Sequence, residues 1–174
     1  MRRKLEILVS RLKLRRCRTV GDLPTVLGRV WIHGDGEVYL GSRVVLDGRI
    51  APIELHAHRG GRIVLHDDVV LEGGTSIEAQ ESVTIGARSH LGCWCKVLDN
   101  HYHPLRGNRH ERPASVPLVI EESVTVGHYA ILLPGTYLQT GARVMPRTVI
   151  SRRIPAGATV GKPPTRPLPW ELVG

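Results

Sequence analysis

From Ile120 onward an aliphatic residue returns at every sixth position: Ile120, Val126, Leu132, Leu138, Val144 and Ile150. Four residues after each of the first five stand Val124, Ala130, Thr136, Ala142 and Thr148, all small or β-branched. The same register runs upstream through Leu65, Leu71 and Ile77, with Val69 and Thr75 at the second position. It restarts after a two-residue slip at Ile85, Leu91 and Val97, with Ser89 and Cys95, and Leu40 and Leu46 form a weaker early pair. A helix repeats near 3.6 residues and a half-buried strand near 2, so a period of six belongs to neither. It fits a short strand followed by a corner, with the aliphatic side chain aimed into a narrow core and a small residue where the chain turns. Three such units make a triangular coil of about 18 residues, and stacked coils make a parallel β-solenoid.

Composition agrees. With 19 glycines, 12 prolines and no Phe, the chain is too heavily punctuated for a helix bundle. No apolar run approaches the ~20 residues that span a bilayer, and the opening stretch, interrupted by Glu6, does not read as a cleaved leader. The formal charge of +8 is concentrated: residues 1–18 hold eight of the 24 basic side chains and one acid, Glu6. The rest is nearly neutral, so no nucleic-acid groove is implied. Three cysteines, Cys17, Cys93 and Cys95, cannot build a disulfide framework and suit a reducing compartment, the cytoplasm.

The chain therefore divides into a basic amphipathic helix over 1–20, a β-helix over 28–154 with an inserted loop at 99–116, and an extended, proline-rich tail over 155–174. In the helix, Leu5, Leu8, Val9 and Leu12 fall at i, i+3, i+4 and i+7. That helix either caps the open end of the solenoid or rests on the inner, anionic face of a membrane as a peripheral contact through residues 1–18. The interruption from Asp99 to Val116 is longer than an idle loop and holds His101, His103 and His110 with three arginines.

Four motifs carry a resemblance. They are Leu98-Asp99-Asn100-His101-Tyr102-His103-Pro104-Leu105, the run from Pro117 to Gly127, Leu132-Leu133-Pro134-Gly135, and Ile154-Pro155-Ala156-Gly157 with Gly161-Lys162-Pro163. Over roughly residues 28–167 the chain resembles the hexapeptide-repeat acyltransferases, nearest to the galactoside, maltose and polysaccharide O-acetyltransferases. The resemblance implies a left-handed parallel β-helix, a homotrimer with its sites between subunits, and acetyl-CoA as acyl donor with no metal required. It implies transfer of an acyl group to the hydroxyl of a sugar or polysaccharide. Laid on the family's Asp-x-x-x-His-Pro pattern, Asp99 and His103-Pro104 make His103 the general base, with His101 the runner-up. An imidazole suits the task because a free alcohol is a poor nucleophile near neutral pH. Backbone N–H groups at Gly127 and His128 would hold the oxyanion. Ser151, Arg152, Lys162 and Arg166 match the positions that bind the cofactor, the cations serving its phosphates.

Three departures stand out. Relatives often have Gly-Ala-Gly where this chain reads Met145-Pro146-Arg147, and Trp-Ile-Gly is here Thr125-Val126-Gly127. Glu72 stands where relatives place a substrate-positioning Asn, and it could orient His103 or bind the acceptor's hydroxyls. Cys95 falls on an inward offset, which makes Cys93-x-Cys95 a core feature rather than half of a zinc site. His56-x-His58 with His66 lacks the spacing of the carbonic anhydrases that share this solenoid type, so no metal ligands are expected. Two alternatives remain: an N-acyltransferase of an amino sugar or antibiotic amine, and a non-catalytic solenoid scaffold, which Met145-Pro146-Arg147 would favour.

Overall fold

The computed structural model describes residues 2–102 and 113–161, and it coils as the period predicts. A helix, Arg2–Lys13, leads into a chain of short strands that pair in parallel across successive coils. They form three faces. The first stacks Thr19–Val20, Glu37–Leu40, Arg62–Leu65, Ser82–Ile85, Leu118–Ile120, Tyr137–Leu138 and Arg153–Ile154. The long strands Thr25–His33 and Val45–Ala57 each cross a corner and serve the other two faces. The second face continues through Val70–Glu72, His90–Leu91, Thr125–Val126, Arg143–Val144 and Thr159–Val160. Ser76–Ala79, Lys96–Leu98, Ile131–Leu132 and Val149–Ile150 make the third.

The aliphatic period is the core. One ladder runs Leu40, Leu65, Ile85, Ile120, Leu138, Ile154 down the first face, each residue in register with the next. A second runs Leu46, Leu71, Leu91, Val126, Val144, and a third Leu55, Ile77, Val97, Leu132, Ile150. All are buried. The two-residue slip before Ile85 is a longer corner at Gln80 and Glu81, which shifts the spacing along the chain and leaves the register between coils intact.

The second position of the repeat is buried as well, from Val69 and Thr75 to Thr136 and Ala142. Its hydroxyls tie the corners. Thr75 Oγ1 donates to the carbonyl of Gly92 at 3.1 Å, and Thr136 Oγ1 donates to those of Leu133 and Ile150 at 2.7 and 2.9 Å. Ser89 Oγ donates to Glu121 O at 2.9 Å and accepts the Val124 N–H at 3.1 Å. A hydroxyl is small enough for the corner and supplies what the turning backbone lacks.

Two expectations need correcting. The coil begins at Thr19, ahead of residue 28, and its last described strand, Thr159–Val160, lies beyond 154. The terminal strands are short and only partly buried, but each keeps an aliphatic in the ladder, Val20 in register with Leu40 and Val160 with Val144. The helix ends at Lys13, well before residue 20, and it does cap the first coil, but with the face opposite to its leucines. Ser10 and Leu14 are the buried residues, and Ser10 Oγ accepts the Val26 N–H at 3.0 Å. Arg11 and Lys13 reach the carbonyls of Gly21 and Gly28 at 3.0 and 2.8 Å, and Arg16 reaches that of Gly34 at 3.4 Å. An open coil end presents unpaired backbone groups, and what it requires is hydrogen-bond partners more than apolar cover. The polar face meets that need.

Replacing Ser89 by Ala should cost about 1–3 kcal/mol, because the buried Val124 N–H then has no acceptor. Thr136→Val, which removes only a donor to carbonyls, should cost less. Urea denaturation of the two variants checks the order, and equal losses would contradict it.

Candidate active site

The inserted loop leaves the solenoid at the corner between the third and first faces, and its base is pinned. Asp99 is fully buried, its two carboxylate oxygens accepting the N–H groups of Gln80 and Glu81 at 2.8 and 2.7 Å. Asn100, also buried, donates to Pro113 O and Ser115 Oγ, both at 3.0 Å, and accepts the Tyr102 N–H. Val116 N–H closes the loop onto Asp99 O at 2.9 Å. Asp99 of the Asp-x-x-x-His-Pro pattern is thus a structural clamp. His101, two residues on, is exposed to solvent. His103 lies outside the described residues.

Glu72 sits at a different corner, between the second and third faces, at the centre of a polar cluster. Its Oε1 is 2.8 Å from His90 Nε2, and its Oε2 accepts from both the N–H and the thiol of Cys93 at 3.1 Å. His128 Nδ1 lies 3.5 Å from the same oxygen and accepts the Cys93 N–H at 2.9 Å. Gly92 makes this possible, since a Cβ there would stand 2.7 Å from His128 Nδ1. Burial alone would raise the Glu72 carboxyl, but the hydrogen bonds from Cys93 and His90 and the charges of His90 and His128 outweigh it and hold Glu72 below its ordinary value. Burial and the adjacent carboxylate push the Cys93 thiol up to about 11, so it stays protonated and donates. The cluster keeps an ionised carboxylate beside two imidazoles, an arrangement able to orient a histidine or accept a hydroxyl.

The two oxyanion candidates occupy the next coil at this corner. The Gly127 N–H is engaged with Val144 O at 2.8 Å, and the Gly127 carbonyl accepts the Cys95 thiol at 3.2 Å. Of the pair, the His128 N–H is the one with no backbone partner among the described residues. Cys95 is buried in the core, as its offset predicts. In the coil after that, Pro146 packs so closely that a Cβ on Gly127 would meet its nitrogen at 2.6 Å. Arg147 adopts a left-handed φ of 59° and lies 5.8 Å over the Tyr129 ring. The Met145-Pro146-Arg147 departure thus fills the corner that small residues would leave open. Ser151 and Arg152 are exposed two coils beyond the loop, at the loop's own corner, while Lys162 and Arg166 lie outside the described residues.

Within one chain, then, the loop and Glu72 are not neighbours. Their corners are the two ends of the third face, separated there by the four-residue strand Ser76–Ala79, roughly 13 Å at 3.3 Å per residue.

That third face carries a feature the sequence reading did not assemble. His33, His56 and His58 stack with ring centroids 4.3 and 4.0 Å apart, and Tyr102 from the loop base tilts against His58 at 5.9 Å. Glu54 lies 2.9 Å from His33 Nε2, and Glu78 Oε1 lies 2.9 Å from His58 Nε2 and 3.3 Å from His56 Nδ1. His66, grouped with His56 and His58 by sequence, ends the first face instead, and His33 takes its place. Register was the available signal, since His33, His56 and Glu78 occupy one position in three successive coils.

Two groups bring three potential metal ligands together: His56, His58 and Glu78, and Glu72, Cys93 and His128. In the first, His56 Nδ1 and His58 Nε2 both lie against Glu78 Oε1, at 3.3 and 2.9 Å. In the second, His128 Nδ1 accepts the Cys93 N–H.

No family model matches the chain. WbbJ of Escherichia coli strain K12, named as an O-acetyl transferase of lipopolysaccharide biosynthesis, is 24% identical over 174 residues, covering 92% of this chain and 83% of WbbJ. A 2,3,4,5-tetrahydropyridine-2,6-dicarboxylate N-acetyltransferase of Staphylococcus aureus is 34% identical over 56 residues, 32% of this chain and 23% of its own length. Among solved structures, AntD, an N-acyltransferase from Bacillus cereus in complex with dTDP and coenzyme A, superposes with a TM-score of 0.73 at 14% identity, covering 94% of this chain and 91% of AntD. NeuO, a polySia specific acetyltransferase, gives 0.50 at 13% identity over 83% of this chain and 75% of NeuO. At these identities the structural matches establish the fold.

The stacked histidines have a pH signature. Burial, then the charges of His58 and His33, hold His56 below its ordinary value against the pull of Glu78 and Glu54. The unfolded chain therefore takes up this proton first, and stability falls as pH drops from about 6.5 toward the folded value. Thermal melts between about pH 7.5 and 5.5 should show this slope, and His56→Gln should flatten it. An unchanged slope would contradict the assignment.

Proposed function

We propose that this chain, a hexapeptide-repeat acyltransferase by its fold, its repeat and its end-to-end match to an O-acetyl transferase, moves an acetyl group from acetyl-CoA to a hydroxyl of a sugar or polysaccharide. The observation that carries the reading is the break in the coil at one corner. A solenoid built only as a rod has no use for a histidine-bearing insertion, and here the insertion's base is fastened by two buried polar residues, Asp99 and Asn100.

In this reading His103 accepts the proton of the acceptor hydroxyl as its oxygen attacks the thioester carbonyl. A backbone N–H at the Gly127–His128 corner, that of His128, stabilises the oxyanion. The C–S bond then breaks, and the CoA thiolate leaves and recovers the proton from the imidazolium. Because the loop and Glu72 occupy different corners of one chain, the site is completed between copies in a homotrimer. The loop of one subunit then faces the Glu72 corner of the next, where Glu72 orients His103 or binds the acceptor. Ser151, Arg152, Lys162 and Arg166 hold the cofactor at its phosphate end. AntD is named with coenzyme A bound, which supports the donor, and with dTDP, which supports a sugar-related acceptor.

N-acyl transfer is the second reading. The highest structural similarity above is to an N-acyltransferase, and an amine acceptor would use the same base and the same oxyanion donor.

Replacing His103 by Ala should lower kcat by about 10²–10⁴ without loss of fold or assembly. Release of free CoA, followed with hydroxyl and amine sugars side by side, tests both the base and the acceptor class. Undiminished turnover in the variant would remove His103 from the mechanism. Preference for the amine would replace O-transfer by N-transfer.

A further inference from the structure

The N-terminal helix is docked the wrong way round for a helix in water. Its buried residues are Ser10 and Leu14, 3% and 1% exposed, whereas Leu5, Leu8 and Leu12 are 61%, 56% and 62% exposed. At about 100° per residue, Leu5, Leu8, Val9 and Leu12 share an arc of about 100°, and Ser10 and Leu14 lie roughly opposite. A solvent-facing helix normally turns its apolar stripe to the core. This one turns Ser10 and a half-buried Ile7 toward the coil, with Leu14 buried just past its end, and shows water a row of leucines. The apolar surface continues onto the first coil, where Leu23, Leu27 and Trp31 are exposed. Grooves of about 560 and 350 Å³ lie between the helix and the first coils, one bordered by Leu12 and Trp31, the other by Leu5, Val9, Leu23 and Leu27.

Charge identifies the occupant. Lys4 and Arg11 flank the stripe on one side and Lys13, with Glu6 beside it, on the other, each about 90–110° from its centre. Residues 1–18 hold eight basic side chains against one acid, and the nearest carboxylate on the neighbouring turn, Asp22, is already 3.7 Å from Arg11. Two copies meeting through this face would oppose like charges across the contact. An apolar stripe at the bottom with cations level on either side is instead the geometry of a helix lying in the plane of an anionic bilayer, leucines in the acyl boundary and ammonium and guanidinium groups among the phosphates.

We propose that the helix Arg2–Lys13 is a bifunctional element. One face seals the first coil, and the other seats the protein on an anionic lipid surface through Leu5, Leu8 and Leu12, with Trp31 beside them. The solenoid is then held by its N-terminal end at the membrane. The leucines of the seat and Ser10 of the seal lie on opposite sides of the helix, while Arg11 and Lys13, on the rim between them, also reach the coil carbonyls of Gly21 and Gly28.

Vesicle flotation of the full chain tests this. Vesicles of phosphatidylcholine with about 30% phosphatidylglycerol should bind at least about tenfold more tightly than phosphatidylcholine alone, and added salt should weaken the binding. The triple variant Leu5→Glu, Leu8→Glu, Leu12→Glu should lose about tenfold or more in binding with an unchanged melting temperature. Leu8→Glu alone, expected to lose about threefold, carries the test if the triple variant does not fold. No binding by the wild type, equal binding to both vesicle types, or full binding by the glutamate variants would overturn the proposal. So would a smaller assembly in the variants with no lipid binding in the wild type, which would assign the face to a second copy.

Discussion

Each coil of this protein is held by hydrogen bonds to the coils above and below it, and every other feature answers to that stacking. A parallel ladder requires that equivalent residues fall in register, so the aliphatic that fills the core on one coil must be met by an aliphatic on the next. The columns Leu46 to Val144 and Leu55 to Ile150 are the result. The same requirement makes the corners the only places where the chain can vary without breaking the stack. A longer corner at Gln80 and Glu81 or an insertion from 99 to 116 is tolerated because the strands resume in register afterwards. It also leaves an open coil at the N-terminal end, where Ser10, Arg11 and Lys13 supply the partners that a preceding coil would have given.

Chemistry therefore gathers at corners, and the corners differ. The one between the second and third faces has Glu72 held ionised between His90, Cys93 and His128, with Pro146 packed on Gly127 beneath. The one between the third and first faces has a clamped loop base and, beside it, a stack of three histidines from two successive coils that meets Tyr102. One chain presents two half-arrangements, and neighbouring copies in a trimer would bring them together. The histidine stack meets the loop base through the contact of His58 with Tyr102.

Most of the fold was readable because a period of six is a direct image of the coil. Every aliphatic in the series from Leu65 to Ile150 is in the core, and the hydroxyls of Thr75, Ser89 and Thr136 explain why the second position stays small. The ends were less readable, since Thr19–Val20 and Thr159–Val160 lie at the margins of the core and hold their aliphatics, Val20 and Val160, only partly buried. That the helix caps the first coil was readable, but which face does so was not, because spacing locates an apolar face and says nothing of what the open coil demands. Asp99 was visible as part of a motif, yet its work, accepting two backbone N–H groups, is apparent only in three dimensions. Of the stack, His56-x-His58 was visible as a local pair, while His33 lies on the preceding coil and joins it only through register.

The central claim is that this solenoid uses acyl-CoA, and binding measures it without knowledge of the acceptor. Isothermal titration of acetyl-CoA into the full chain, repeated with the Lys162→Ala, Arg166→Ala double variant, is the direct measurement. The account predicts binding with Kd on the order of micromolar and a clear weakening in the variant, because the two cations meet the cofactor's phosphates. No heat of binding at about millimolar acetyl-CoA would contradict it. It would mean that Met145-Pro146-Arg147 closes the path a thioester needs, and that the protein serves as a scaffold.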